Sequence, residues 1–212
     1  MNIMVISVIT LLNMYDAQKE IALMRLIGIG MGRIARLYLI QNGIPAAGGE
    51  WADLGSGQGA FTLALADLLG PGAVIHSVDR DAGVLRAQRR AMEARFPAVS
   101  VRYQVADFTQ PLDLPPLDGL LMANSLHFLR DKAPTLRRLV ALLKPGGRLV
   151  LVEYNADRGN RWVPYPLSYE TWRGLAERCG LEGTRLLATV PSRFLGEIYA
   201  ALSLRPRPQG RG

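Results

Sequence analysis

The run Asp53-Leu54-Gly55-Ser56-Gly57-Gln58-Gly59-Ala60 constrains the fold more than any other stretch of the chain. An apolar strand, Trp51 to Leu54, leads into it and an apolar helix, Phe61 to Leu69, leaves it. Glycines at such a junction adopt φ angles that other residues resist, and they let a ligand approach the backbone at a helix N-terminus. The segments that follow alternate in the same sense. Val74 to Val78 reads as a strand, Ala82 to Arg95 as a helix stopped before Pro97, and Val99 to Ala106 as a strand. Pro111 to Pro116 is a loop, Leu120 to Ala123 a strand, Lys132 to Leu143 a helix closed by Pro145-Gly146-Gly147, and Arg148 to Glu153 a strand. Strand and helix in alternation predict a parallel sheet covered on both faces.

Past a loop over residues 155–166 comes the helix Ser168 to Cys179, then two strands, Thr184 to Val190 and Glu197 to Leu204. Their connection is too short for a crossover helix, so they are expected to run antiparallel to each other. The expected organisation is an N-terminal extension over residues 1–48, one α/β domain over 49–204, and a disordered tail over 205–212 rich in proline and glycine. With 49% hydrophobic and 20% charged residues among 212, the chain has enough apolar side chain for one full core.

The extension carries no clear address. Met1 to Met14 is uncharged, but as a helix it would reach only about 21 Å, short of a hydrocarbon core of about 30 Å. It also lacks the positive flank and cleavage site of a secretory signal. Ile21 to Ile40 would gather Arg25, Arg33 and Arg36 on one side of a helix. Against that helix stand Gly28, Gly30 and Gly32, each costing about 1 kcal/mol relative to alanine. A lid over the domain is the favoured reading of residues 1–40, and a membrane-surface role is the alternative. The single cysteine, Cys179, excludes an internal disulfide, and no Cys/His spacing suits a metal. A cytoplasmic location is expected.

The net charge of +7 raises nucleic acid as a partner. The arginines, however, are scattered through every segment, so a solvated basic surface is the preferred reading and a small-molecule substrate the expected partner. Oligomeric state is not set by the sequence.

Three carboxylates end three successive strands: Asp53, Asp79 and Asp107, the last followed by Phe108. Open α/β sheets bind ligands at that rim. Asp53 is placed to accept from an ammonium, Asp79 from ribose hydroxyls, and Asp107 from an adenine amino group with Phe108 packed on the base. Gly55, Gly57 and Ala60 equally satisfy the dinucleotide pattern G-x-G-x-x-G/A, and Asp79 serves either kind of nucleoside, so NAD(P) remains an alternative on these residues alone.

The segments WADLGSGQGAF, SVDRD, VADF, MANSLHFLRD and LLKPGGRLVLVEY, in this order over about residues 50–155, resemble the class I S-adenosylmethionine-dependent methyltransferases, in particular the small-molecule branch called methyltransferase type 11. The resemblance implies a Rossmann-like three-layer α/β/α sandwich whose mostly parallel seven-stranded sheet ends in an antiparallel hairpin. It implies S-adenosyl-L-methionine as cofactor, its methionine moiety held by Asp53, Gly55, Ser56, Gly57 and Gly59. Asp79 would take the ribose, Asp107 and Phe108 the adenine, with Arg80 flanking the base and Asn124 lining the cofactor near the reactive methyl. Residues 1–48 match nothing in this family.

Methyl transfer from a sulfonium mainly demands alignment of nucleophile, methyl and sulfur. For a hydroxyl or carbon acid a base helps, and His127 and Tyr154 stand nearest by sequence, although a histidine in Ser125-Leu126-His127-Phe128 equally reads as a packing residue. Two other classes of answer stand beside the enzyme. One is a non-catalytic cofactor-binding module, which intact glycines do not exclude. The other is a nicotinamide-dependent oxidoreductase, which would leave Asp53 and Asp107 without a task.

Overall fold

Alternation of apolar side chains along the strands decides the architecture, because successive residues of a strand face opposite sides of the sheet. The structure, a computed structural model, describes residues 48–192 and 195–208. The lid and membrane-surface readings of residues 1–40 lie outside them, as do residues 209–212. The order is β1 (Gly49–Leu54), α1 (Ala60–Leu69), β2 (Ala73–Asp79), α2 (Ala82–Arg95), β3 (Ser100–Val105) and β4 (Leu117–Ala123). A 3₁₀ turn (Leu126–Phe128) follows, then α3 (Ala133–Leu142), β5 (Leu143–Tyr154), α4 (Tyr169–Arg178), β6 (Glu182–Ser192) and β7 (Gly196–Leu204).

The seven strands form one sheet in the order β3-β2-β1-β4-β5-β7-β6. β1 to β5 pair in parallel, and β7 lies antiparallel between β5 and β6. One face carries Ala52, Leu54, Leu120, Met122, Leu149, Leu151 and Tyr199 against Leu136 and Leu139 of α3 and Trp172 and Leu175 of α4. The opposite face carries Trp51, Leu121, Val150, Val152 and Ala200 against Phe61, Leu65 and Leu69 of α1 and Met92 of α2. This is the three-layer α/β/α sandwich with a terminal antiparallel hairpin that the sequence leads one to expect. The insertion of an antiparallel β7 inside β6 also departs from the wholly parallel 3-2-1-4-5-6 order of dinucleotide-binding sheets.

Local chemistry fixes the helix ends. Asp81 caps α2 by accepting from the Gly83 and Val84 N–H groups, and Ser168 caps α4 by accepting from Thr171 N–H. Several boundaries differ from the sequence reading, β4 among them, which starts at Leu117 and not Leu120, and two differences change how the chain is held. β5 starts at Leu143, not Arg148, because Leu143 pairs with Leu117 across from β4. The Pro145-Gly146-Gly147 segment, expected only to close a helix, belongs to that strand and holds the chain beyond β7. Gly146 N–H donates to Arg205 O at 2.9 Å and Arg205 N–H to Gly147 O at 2.8 Å. The Arg205 guanidinium also donates to the carbonyls of Ala141 and Leu143. The tail therefore does not detach at Leu204, since two ladder bonds and a side chain continue the sheet through Arg205.

Candidate active site

β1 and β4 are neighbours whose connections leave in opposite directions along the sheet, so their carboxyl ends border the crevice where such sheets take ligands. On the β1 side stands the glycine turn. Gly55 (φ 73°), Gly57 (φ 53°) and Gly59 (φ 80°) all lie in the left-handed region, which costs an L-residue roughly 1–2 kcal/mol. Their surroundings differ. A Cβ on Gly55 would lie 2.6 Å from Ser125 Cβ and 3.4 Å from the Phe108 ring, and one on Gly59 would overlap the Gln88 side chain. A Cβ on Gly57 would meet nothing within 4 Å among the described residues, so against these the middle of the turn is open.

Beneath the turn runs a buried polar chain. Ser77 Oγ lies 2.8 Å from both Ser56 Oγ and Gln88 Oε1, the Gln88 amide donates to Thr62 Oγ1, and Thr62 donates to Asp53 Oδ2 at 2.6 Å. Asp53 is 1% exposed. The sequence offers this carboxyl to a ligand ammonium, but β1 parity turns it with Trp51 toward α1, where it braces the turn from below. Burial pushes its pKa up to about 7, outweighing the opposing Thr62 bond, and nearby Asp79 adds to the rise.

Asp79 and Asp107 stand at the rim. Half-buried Asp79 accepts from Gly57 N–H at 2.8 Å through Oδ2 and from Asp81 N–H at 2.9 Å through Oδ1, tying the end of β2 to the glycine turn. Each of its oxygens keeps a further lone pair for a ligand. Ala106 N–H donates to Asp79 O, which sets Asp107 beside it. Asp107 is exposed. Its carboxyl is held below the usual range first by the Thr109 hydrogen bonds, with exposed Arg80 adding a smaller Coulombic contribution. The structure thus gathers Gly55, Phe108 and Ser125 in contact and places Asp79, Arg80 and Asp107 along one edge, while Asp53 lies beneath.

On the β4 side Asn124 has φ 51°, and no other non-glycine residue among those described has a positive φ. Its N–H donates to Val152 O at 2.9 Å, and its Oδ1 is buried without a hydrogen-bond partner among the described residues. Strain and an orphaned acceptor at one residue mark a position shaped for something other than stability.

The two residues that the sequence nominates as bases come together with one it overlooks. His127 is 3% exposed, its ring centroid 4.3 Å from that of Phe128 and 6.1 Å from that of Tyr154, which is itself buried. Glu153 is wholly buried. Its Oε1 accepts from the N–H groups of Leu126 (3.0 Å) and His127 (3.1 Å), and its Oε2 lies 2.8 Å from His127 Nδ1. The available signal was an acid inside the apolar run Leu149-Val150-Leu151-Val152-Glu153-Tyr154, a place where a carboxylate persists only with partners. Lys132, also overlooked, donates from Nζ to Leu129 O at 2.8 Å and Tyr165 O at 2.7 Å, and Tyr165 N–H donates to His127 O at 3.0 Å. The loop over residues 155–166 is thereby fastened to the 3₁₀ turn.

Among the described residues no cluster of His, Cys, Asp and Glu could hold a metal ion, and no helix is long and apolar enough to cross a membrane.

Comparison with known proteins agrees with this geometry. The ubiquinone/menaquinone biosynthesis C-methyltransferase UbiE of Pasteurella multocida is 28% identical over 132 residues, 61% of this chain and 49% of that protein. The chain spans about half the length of the curated relatives it matches. Among solved structures, the N-methyltransferase NodS from Bradyrhizobium japonicum, in complex with S-adenosyl-L-homocysteine, superposes with a TM-score of 0.64 at 20% identity, covering 84% of this chain and 86% of NodS. Human N-acetylserotonin methyltransferase, in complex with S-adenosylmethionine, gives 0.62 at 19% identity over 89% of this chain and 56% of its own. At those identities the likeness shows the fold alone. Residues 52–149 match the family model described as a methyltransferase domain, and with the sheet order and glycine turn they support a class I S-adenosylmethionine-dependent methyltransferase.

Proposed function

We propose that the chain transfers a methyl group from S-adenosyl-L-methionine to a small-molecule acceptor. The observation that carries this reading is the open middle of the glycine turn, Gly57, at the β1/β4 crevice with Asp79 bonded to its N–H. The residues present suit the cofactor in three respects. Gly57 leaves room for a ligand against backbone, Asp79 retains acceptor capacity for sugar hydroxyls, and the orphaned Asn124 Oδ1 offers a buried acceptor. Gly55, Ser56, Gly57 and Gly59 would flank the methionine moiety, Asp79 the ribose, and Asp107, Phe108 and Arg80 the adenine, with Asn124 toward the reactive centre. Asp53 would act from below, as the brace of the turn.

The cofactor supplies a methyl carbon already activated by a sulfonium. What remains for the protein is to bind, orient and exclude water, and positioning of that kind contributes roughly 7–11 kcal/mol of barrier reduction. A carbon acceptor is the form suggested by the UbiE relatives, which are C-methyltransferases.

Calorimetric titration with S-adenosylmethionine, S-adenosylhomocysteine and NAD(P)H tests the reading. The sulfur nucleosides should bind and the nicotinamides should not. Asp79→Ala should weaken binding about 10- to 100-fold, in line with roughly 1.5–3 kcal/mol for hydrogen bonds to a charged acceptor. Binding of nicotinamide cofactor alone would overturn it. Binding of S-adenosylhomocysteine with no transfer to any acceptor would favour the non-catalytic module instead.

A further inference from the structure

We propose that Ser56 Oγ recognises the ammonium at the methionine end of the cofactor, and that buried Asp53 is its positioning residue, setting through a chain of hydrogen bonds whether Ser56 accepts or donates. Cofactor capture then releases a proton from Asp53. This rests on the methyltransferase reading and adds a proton linkage to that same site.

The sense of each bond in the chain follows from what each group can give. Gln88 Nε2 only donates and Gln88 Oε1 only accepts, so the amide fixes the direction on both sides of itself. Oε1 lies 2.8 Å from Ser77 Oγ, and Nε2 donates to Thr62 Oγ1, which donates to Asp53 Oδ2 at 2.6 Å. Ser77 has one hydroxyl proton. With that proton directed to Gln88, the 2.8 Å contact between Ser77 and Ser56 needs Ser56 as the donor. Four side chains thus point their protons toward Asp53, the arrangement an ionised carboxylate requires. Ser56 Oγ keeps both lone pairs, and among the described residues no other hydrogen bond reaches it.

A proton on Asp53 reverses the chain. The carboxyl donates to Thr62, the Thr62 hydroxyl turns to Gln88, and a half-turn of the amide exchanges Oε1 for Nε2. Ser77 then accepts from Nε2 and donates to Ser56, which turns its O–H outward. The half-turn is nearly isosteric, so it fits the tight packing of Gln88 against Gly59, where an added Cβ would overlap the side chain. Mixed arrangements set two donors or two acceptors face to face in the interior, which is costly. The chain therefore has two self-consistent states.

Asp53 is flanked by Ser77 on β2 and Leu121 on β4. The charged residues of the helices above it, Asp67 on α1 and Arg86, Arg89, Arg90, Glu93 and Arg95 on α2, are exposed. Glu50 and Asp118 lie toward the opposite ends of β1 and β4. Asp79 at the rim is the charged group that acts on Asp53, and burial and Asp79 together bring its proton to about pH 7. An ammonium over the turn favours the ionised state through Ser56. The proton passes from the carboxyl to buffer, and no bond of the cofactor changes.

Calorimetric titration of the full-length chain with S-adenosylhomocysteine, in buffers of different ionisation enthalpy, counts the protons. More than about half a proton per site should be released at about pH 6.5 and close to none at about pH 8.5, with affinity rising about three- to eightfold from pH 6 to 7.5. Proton uptake, or binding without release at pH 6.5, overturns the proposal. Absence of binding would instead sink the methyltransferase reading, so the two failures are separable. Asp53→Asn should bind without release, and release persisting there refutes Asp53 as the source. Ser56→Ala should release less than half as much as wild type; equal release means that Asp53 acts through space and refutes the chain. The probe 5′-methylthioadenosine, which lacks the amino-acid end, should bind without release, and release equal to that of S-adenosylhomocysteine counts against the ammonium.

Discussion

Replacing Asp53 by asparagine should stabilise the folded chain, and the gain should grow as pH rises. The carboxyl is 1% exposed with the Thr62 hydroxyl as side-chain donor, and its pKa rises from 3.8 to about 7 on folding, chiefly through burial. Below about pH 4 both folded and unfolded chains hold the proton and the group contributes nothing. Between about pH 4 and pH 7 the unfolded chain releases it while the folded chain keeps it, so stability falls by about 1.4 kcal/mol per pH unit. Above about pH 7 both are ionised and the loss levels off at about 4 kcal/mol, of which about 3 kcal/mol falls between pH 5 and pH 8. Asparagine cannot ionise, and its Oδ1 can still accept from Thr62. Urea denaturation of both proteins at constant ionic strength, across pH 5 to 8.5, measures the difference directly. The absolute offset depends on how well the amide fits, but the slope does not. Other carboxyls whose pKa is lowered, such as Asp107, Asp118 and Asp157, titrate alike in both proteins and cancel. Parallel stability curves over this range would refute a raised Asp53 and the buried brace with it.

Two further perturbations separate structure from ligand capture. Gly119→Ala places a Cβ in steric overlap with the Trp51 ring, which is 0% exposed, and overpacking of this kind should cost about 1–3 kcal/mol in denaturation midpoint experiments. Asn124→Gly removes a left-handed side chain and a buried unpartnered oxygen together. Thermal unfolding should show about 1 kcal/mol of added stability, while calorimetry shows weaker S-adenosylhomocysteine binding; a destabilised variant with unchanged affinity would make Asn124 structural.

The sheet and its helices were legible because two periods carry them. α2 runs from Ala82 to Arg95 as read, since Asp81 caps one end and Pro97 follows the other. The start of β5 was not legible, because Leu143 gains its strand partner only when β4 arrives with Leu117. The glycine turn declares itself locally, whereas the direction of Asp53 does not. That direction follows from which face of β1 receives Trp51 and from Thr62 lying above it. Asn124 drew notice only through family resemblance, and its strain is visible only in three dimensions. Glu153 was hidden for a similar reason. Its N–H partners at positions 126 and 127 lie far away in sequence and reach it only through the parallel pairing of β4 with β5.

The two interior carboxyls brace opposite faces of one sheet. Asp53 lies next to the end of β1 and points to the α1 face, while Glu153 lies next to the end of β5 and points to the α3/α4 face, paired across the ladder with Tyr199. Asp53 meets a hydroxyl that belongs to a buried chain of Thr62, Gln88, Ser77 and Ser56, so its effects pass into the glycine turn. Glu153 meets the backbone of the turn after β4, so its effects pass into His127 and the loop that Tyr165 docks. Each carboxyl is satisfied within its own layer, and the hydrogen bonds described do not join the two sets. Changes below the glycine turn should therefore register mainly in cofactor affinity, and changes around Glu153 mainly in the stability of the turn after β4 and of the loop docked on it, because energetic coupling between sites needs a shared network or a shared two-state element.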